Sequence, residues 1–106
     1  MSLYTYKCEV VRVIDGDTLE LNVDCGFGIW KQDRFRLAGL NAPEKNTDEG
    51  KAAALFVRQW IPLWTTVTTA KDKQEKYGRY LATITDTATG ESLNQALLDS
   101  GHAKPY

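Results

Sequence analysis

The sequence predicts a small β-barrel with two helices, and three observations support this fold class. Five short segments alternate apolar and polar residues with the period of two that is typical of strands, and turn residues separate them. The alternation changes phase within the first segment, which indicates a β-bulge that curls the sheet. A segment with helical periodicity follows the third strand, and a short helix lies near the C-terminus. This order of elements is that of the OB-fold, a partly open five-stranded Greek-key barrel.

The first two strands are predicted to form a hairpin. The first runs from Tyr4 to Ile14, with its bulge near Val10-Val11 and with Val11 and Val13 directed inward after the bulge. Asp15-Gly16-Asp17 lies between two apolar runs and is a hairpin turn signal. The next strand alternates without interruption, and its inward side chains are Leu19, Leu21 and Val23.

The third strand leads into a segment rich in polar side chains, Arg34 to Glu44. Phe35 and Leu37 share one face of the strand, which places Arg36 on the other face. A proline then ends the strand, because it has no N–H group and disfavours helix in the preceding residue. The arginine can present a planar fork to a phosphate, and Glu44 can position or deprotonate a water.

The first helix is predicted from a capping-box pattern, Asn46 followed three residues later by Glu49. It runs to about Trp60, and Pro62 ends it. Its core-facing residues recur at helical spacing and are Ala53, Phe56, Val57 and Trp60.

Two more strands and a second helix complete the predicted fold. The strands run from Thr65 to Lys71, which is rich in β-branched residues, and from Arg79 to Thr85. Ser92 caps a helix from Leu93 to about Ser100, and Gly101 closes it.

Length and composition indicate one globular domain over residues 1–106. The chain is 42% hydrophobic and 25% charged, and it contains no apolar run near the ~18 residues that a membrane span requires. No signal peptide is visible, which fits either a cytoplasmic protein or one secreted after signal removal. A net charge of −1 argues against binding of nucleic acid through the overall charge of the protein. Any polyanion must therefore be bound by a few cationic side chains at defined positions.

The two cysteines do not make a disulfide framework. Cys8 and Cys25 lie nearly opposite each other across the predicted hairpin, but we interpret them as free, buried thiols. The single histidine, His102, is interpreted as a structural or exposed tail residue, and no His/Cys cluster indicates zinc.

Cys25 to Trp30 forms a glycine-punctuated loop with three large apolar side chains. The loop is expected either to fold over the barrel end or to face a partner, since exposed apolar patches often mark contact surfaces.

Five motifs occur in a fixed order along nearly the whole chain. They are Ile14-Asp15-Gly16-Asp17-Thr18, Phe35-Arg36-Leu37, Pro43-Glu44, Lys76-Tyr77-Gly78-Arg79, and Leu93-Asn94-Gln95-Ala96-Leu97 followed by Gly101 and Ala103. In this order and spacing, the chain resembles the staphylococcal (micrococcal or thermo-) nuclease family. The resemblance implies an OB-fold enzyme that uses calcium to cleave DNA and RNA, in single-stranded or open regions, leaving a 3′-phosphate and a 5′-hydroxyl.

The resemblance also implies roles for individual residues. Arg36 and Arg79 resemble the arginines that hold the scissile phosphate, and Glu44 resembles the carboxylate that activates or orients water. The implied calcium ligands are Asp17, Asn41 and the backbone carbonyl of Ala42. The implied substrate contacts are Lys76 and Tyr77, at a terminal phosphate, and Tyr106, near the base-stacking position.

Two departures from the family pattern stand out. Asn41 replaces an expected carboxylate, which removes a charge from the ion site and predicts weaker calcium binding, although an amide oxygen still coordinates calcium. The chain also ends before the final helix of longer members. We therefore expect the surface under that helix to be covered by the loop from Gly26 to Trp30, by Trp64 or by a second copy of the chain in a homodimer.

Two other functions stay open at this point. A non-catalytic OB-fold module that binds nucleic acid is the main alternative, which Asn41 and the mild acidity favour, whereas both arginines with Glu44 favour the enzyme. The third hypothesis, a domain that only binds other proteins, is supported by the loop from Cys25 to Trp30 alone.

Overall fold

A computed structural model describes residues 4–62, 65–74 and 76–106, without the side chains of residues 71–73. The described strands and helices, in chain order, are β1 (Thr5–Asp15), β2 (Thr18–Asp24), β3 (Trp30–Leu37), β4 (Leu40–Asn41), α1 (Asp48–Trp60), β5 (Thr65–Gln74), β6 (Tyr80–Asp86), α2 (Leu93–Asp99) and β7 (Lys104–Pro105).

Five strands form a closed barrel in the order β1-β2-β3-β6-β5, and β1 pairs with β5 to close it. The pairing of β3 with β6 is parallel, and the other pairings in the barrel are antiparallel. With α1 after the third strand and α2 near the C-terminus, this architecture confirms the predicted OB-fold, although the barrel is closed and not partly open. The short strands β4 and β7 were not predicted, and they pair outside the barrel.

The bulge predicted in β1 is confirmed, but one of its consequences was predicted wrongly. Val10 lies opposite Leu21 and Arg12 lies opposite Glu20, so Val11 has no partner on β2. This extra residue turns outward, and Val11 is 49% exposed while Val13 is buried. The predicted inward position of Val11 is therefore wrong. A second register shift falls between Val13 and Asp15.

The core lies inside the barrel and under the two helices. The inward residues predicted on β2 are buried, as are Phe35 and Leu37 on β3. On α1, Ala53 and Val57 are fully buried, whereas Phe56 and Trp60 are partly buried against the core. His102 packs with its ring centroid 4.9 Å from that of Phe56. Neither of the two helices in the described part of the chain is long and apolar enough to cross a membrane.

The N-cap of α1 is Thr47, so the prediction that Asn46 caps this helix is wrong. Thr47 Oγ1 accepts a hydrogen bond from the backbone N–H of Gly50 at 3.0 Å and donates one to the backbone carbonyl of Glu44 at 2.7 Å. Both residue types can cap a helix. In this structure Thr47 is the cap, because its hydroxyl binds both the Glu44 carbonyl and the Gly50 N–H.

Replacing Thr47 with alanine is expected to lower the free energy of unfolding by about 1 kcal/mol, because the first turn of α1 loses its cap. Urea denaturation measures the loss. The matched variants are Asn46→Ala, with little expected effect, and Thr47→Ser, which keeps the hydroxyl. Equal losses in Thr47→Ala and Asn46→Ala would contradict the assignment.

The two cysteines are free thiols, as predicted, but the predicted burial is right only for Cys8 and wrong for Cys25. Cys8 is buried opposite Val23, with its Sγ 3.1 Å from Thr65 Oγ1, whereas Cys25 is exposed beyond the end of β2. Burial raises the pKa of the Cys8 thiol, which keeps it protonated in the core.

The loop from Cys25 to Trp30 leaves its large apolar side chains in contact with solvent. Phe27 is 101% exposed, Ile29 is 58% exposed and Trp30 is 50% exposed, so these side chains do not cover the core. The alternative of a partner contact, including a homodimer, stays a prediction. Trp64, the other residue considered as a cover, lies outside the described residues.

A charged cleft at the barrel edge

Charged side chains from four parts of the chain meet in one cleft of about 410 Å³, which we call the charged cleft. It lies where the β1–β2 turn, the end of β3, the segment after β4 and the start of β6 come together. Its lining residues are Asp15, Asp17, Arg36, Ala42, Pro43, Glu44, Lys45, Asn46 and Arg79.

Asp17 is placed by the tight turn between β1 and β2. Its backbone carbonyl accepts a hydrogen bond from Leu37 N–H at 2.8 Å, and its Oδ2 accepts one from Ala42 N–H at 3.1 Å. Gly16 allows this close approach, because a Cβ there would lie 2.8 Å from that of Ala53 and 2.9 Å from that of Ala42. The turn is thereby fixed against both β3 and α1.

Arg36 projects from β3 into the charged cleft and contacts three groups. Its Nη2 lies 3.8 Å from Asp17 Oδ2 and donates a hydrogen bond to Asn41 Oδ1. Its Cζ lies 5.1 Å from the ring centroid of Tyr106, within the range of a cation–π contact. The side chain is only 13% exposed. These contacts restrict the rotamers that the guanidinium can adopt.

The small sheet of β4 and β7 brings Tyr106 to this place. Leu40 pairs with Pro105 and Asn41 pairs with Lys104, and the N–H of Tyr106 donates to the Gly39 carbonyl at 3.1 Å. The C-terminal segment thus runs along the residues that follow β3 and ends beside Arg36.

Arg79 enters the cleft just before β6. Its Nη1 donates to Thr18 Oγ1 at 3.3 Å, and its Cζ lies 5.4 Å from the ring centroid of Tyr77. The same ring has Lys76 Nζ 5.0 Å from its centroid. Gly78 has a φ of +80°, a left-handed conformation that glycine adopts readily, and it allows the chain to turn between Tyr77 and Arg79.

Glu44 lines the cleft from the segment before α1. Its backbone carbonyl accepts hydrogen bonds from the N–H and from the hydroxyl of Thr47. Helix α1 approaches this carbonyl closely at Gly50, where a Cβ would lie 1.7 Å from the Glu44 oxygen. The helix start therefore fixes the backbone that carries the Glu44 side chain.

The structure brings together most of the residues singled out from the sequence. Five of them line the charged cleft: Asp17, Arg36, Ala42, Glu44 and Arg79. Lys76 and Tyr77 lie beside Arg79, and Tyr106 lies against Arg36.

Asn41 occupies a different position from the other predicted metal ligands. It lines a neighbouring cleft of about 810 Å³ between the start of α1 and the C-terminal segment, and its Oδ1 accepts from Arg36. Asn41 therefore contacts the charged cleft through its hydrogen bond with the Arg36 guanidinium.

Sequence reasoning assigned no catalytic or binding role to Asp15, Lys45 and Asn46, which line the cleft, or to Thr18 and Gly50, which contact residues that line it. Asp15 could have been found, since it shares the turn motif with Asp17. Thr18 belongs to the same motif, and Lys45 and Asn46 directly follow Glu44, but the contact of Gly50 with the Glu44 carbonyl depends on how α1 packs, which no local pattern encodes.

The donor atoms of the cleft suit a hard cation. The carboxylates of Asp15, Asp17 and Glu44 line it, and oxygen donors of this kind match calcium or magnesium. Within the described ranges, no three His, Cys, Asp or Glu side chains converge into a metal cage. A cation here must therefore take several ligands from backbone, water and substrate, which calcium tolerates.

The fold and the cleft define a class of OB-fold domain in which arginines and carboxylates meet at one edge of the barrel. The model of the family described as staphylococcal nuclease homologue matches residues 34–106. The chain belongs to this family of nucleases, as its motifs predict.

The chain is also similar to individual proteins, two of which are named as nucleases. The chain is 33% identical over 97 residues to an uncharacterized endonuclease of Escherichia coli O157:H7, covering 92% of this chain and 59% of the relative. It is 38% identical over 77 residues to Protein ParB of Escherichia coli, covering 72% and 40%. It is 37% identical over 108 residues to a thermonuclease of Staphylococcus hyicus, covering 94% and 58%. The chain thus spans less than two thirds of the length of these relatives.

Proposed function

We propose that this domain hydrolyses phosphodiester bonds of DNA and RNA with the help of calcium. The observation that carries the proposal is the charged cleft, which two arginines and a glutamate line together with Asp17. Cationic groups that bind the phosphate and a carboxylate that accepts a proton from water both assist the attack of water on a phosphodiester.

Arg36 and Arg79 supply positive charge for the phosphate. A phosphodiester carries one negative charge, and attack by an ionised water adds a second one in the transition state. Guanidinium groups that are already oriented stabilise the added charge without reorganising during the reaction. The contacts of Arg36 with Asp17, Asn41 and Tyr106 provide such orientation.

Glu44 is the proposed general base. Its carboxylate accepts a proton from the water whose oxygen forms the new bond to phosphorus. The bond from phosphorus to the 5′ oxygen breaks, and this oxygen takes up a proton from solvent, which leaves a 3′-phosphate and a 5′-hydroxyl. The hydrogen bonds of the Glu44 carbonyl fix the backbone from which its side chain reaches the cleft.

Asp17, Asp15 and the carbonyl of Ala42 would hold the calcium ion, with the amide oxygen of Asn41 at the edge of the site. The bound ion supplies a Lewis acid that polarises the phosphate. The ion pair between Asp17 and Arg36 keeps the carboxylate next to the place where the phosphate binds.

Lys76, Tyr77 and Tyr106 are the proposed contacts to the rest of the substrate. Tyr106 is 84% exposed, so its ring is accessible to an unpaired base, and Tyr77 is 70% exposed and can contact a terminal phosphate together with Lys76. Stacking accepts any base, which favours single-stranded or locally open DNA and RNA without strong sequence preference.

The test uses heat-denatured DNA and single-stranded RNA, incubated with the purified protein in calcium and in a chelator. We expect cleavage in calcium only, with products that carry 3′-phosphates. Cleavage of equal rate in the chelator would contradict the role of calcium, and products with 5′-phosphates would contradict the proposed bond.

The alternative is an OB-fold module that binds nucleic acid without cleaving it. One observation favours it, since Asn41 brings no charge to the cation and directs its oxygen to Arg36. Binding of denatured DNA in calcium without any cleavage would support the module and overturn the enzyme.

Replacing Asn41 with aspartate is expected to tighten calcium binding about tenfold, because it adds a charge close to the ion, where an ion pair is worth several kcal/mol before solvation costs. Calorimetric titration with calcium measures the change. Asn46→Asp is the matched control, since it adds the same charge to the wall of the charged cleft, whereas Asn41 lines the neighbouring cleft. If calcium binding becomes equally tight in both variants, the added negative charge alone explains the change, and position 41 has no specific role in calcium binding.

A further inference from the structure

Thr18 lies among the charged groups of the cleft, although neither its motif nor its position in the chain assigns it a role. It is the first residue of β2, it is 4% exposed, and it is paired with Asp15 of β1 and with Arg36 of β3. A buried hydroxyl at this point of the barrel needs hydrogen-bonding partners, and two charged side chains provide them.

The hydroxyl of Thr18 joins a carboxylate to a guanidinium. Its Oγ1 donates to Asp17 Oδ1 at 3.2 Å and accepts from Arg79 Nη1 at 3.3 Å. A guanidinium can only donate and an ionised carboxylate can only accept, so the hydroxyl proton has one orientation that satisfies both. The three groups therefore form one hydrogen-bonded unit.

We propose that Thr18 is a positioning residue that sets the spacing between the Asp17 carboxylate and the Arg79 guanidinium. The inference depends on the proposed function, in which these two groups hold the cation and the phosphate. An arginine side chain loses much rotational freedom when it binds a phosphate, and a partner that already orients it reduces this cost. Because Thr18 is buried, its hydrogen bonds lie in a medium of low dielectric, where they are stronger than in water.

The test compares Thr18→Val, which keeps the shape and removes the hydroxyl, with Thr18→Ser, which keeps the hydroxyl. On denatured DNA in saturating calcium, we expect kcat/KM of the valine variant to fall roughly tenfold to a hundredfold, the range for losing a hydrogen bond to a charged group. The serine variant should recover most of this loss. A valine variant as active as the wild type would overturn the proposal.

A double-mutant cycle with Arg79→Ala separates positioning from general damage to the fold. If Thr18 acts through Arg79, Thr18→Val should lower kcat/KM much less when Arg79 is already alanine. Losses that multiply independently in the double variant would overturn the proposal.

A measurement without turnover keeps the inference distinct from the proposed function. Side-chain ¹⁵N NMR reports the rotation of the Arg79 guanidinium, which should be slow in the wild type and in Thr18→Ser and faster in Thr18→Val. If the wild type does not cleave, the proposed enzyme fails, and this measurement alone decides whether Thr18 orients Arg79. Equal rotation in all three proteins would overturn the inference.

Discussion

Replacing Arg36 with alanine is expected to lower kcat/KM on denatured DNA by about a hundredfold to a thousandfold, the usual cost of removing one preorganised donor from a developing anion. The guanidinium contacts Asp17, Asn41 and Tyr106, so it is oriented before substrate arrives. Arg36→Lys should recover only part of the loss, because an ammonium keeps the charge but lacks the planar fork.

Arg34→Ala is the matched control for this prediction. Arg34 lies on the same strand, is exposed and is absent from the lining of the charged cleft. The two alanine variants have the same net charge, so a general electrostatic effect on substrate binding would be equal in both. Equal losses of kcat/KM would contradict the role given to Arg36, provided that circular dichroism shows both variants folded.

Replacing Gly50 with alanine is expected to lower the free energy of unfolding by about 1–3 kcal/mol, although helix propensity alone predicts a gain of about 1 kcal/mol. The new Cβ would lie 1.7 Å from the Glu44 carbonyl oxygen and 2.9 Å from that of Pro43. These atoms belong to the backbone, so α1 or the segment before it has to move. Urea denaturation gives the sign of the change.

The same movement should displace the Glu44 carboxylate and lower kcat/KM by up to roughly a hundredfold, the effect of misplacing a reacting group by about 1 Å. Lys51→Ala is the matched control, because it places an alanine at the adjacent exposed position of the helix. A free energy of unfolding higher in Gly50→Ala than in the wild type would show that α1 does not pack closely against the Glu44 carbonyl.

Periodicity predicted the barrel because its long strands have one face toward the core. The alternation on β2 fixes its register, since a slip of one residue would expose Leu19 and Leu21. The bulge was visible as a change of phase, yet the phase alone did not show that Val11 itself is the extra residue. The pair of β4 and β7 was missed because two residues carry no periodic signal.

The charged cleft was located by motifs, but its internal contacts were not. Resemblance to a family places Asp17, Arg36 and Arg79 together. It does not reveal that the amide of Asn41 turns to Arg36, or that Tyr106 covers this guanidinium. Such contacts depend on how the segment after β3 meets the C-terminal segment, and no local pattern encodes that meeting.

The parallel pairing of β3 with β6 has a consequence for the folding of the domain. Helix α1 and strand β5 separate the two arginines in the chain, so a long loop must close before their guanidinium groups can meet in the charged cleft. The hairpins of the barrel require no such closure. During refolding, the proposed cleavage activity should therefore recover more slowly than strand content. Activity would then mark one of the last steps in the formation of the native barrel.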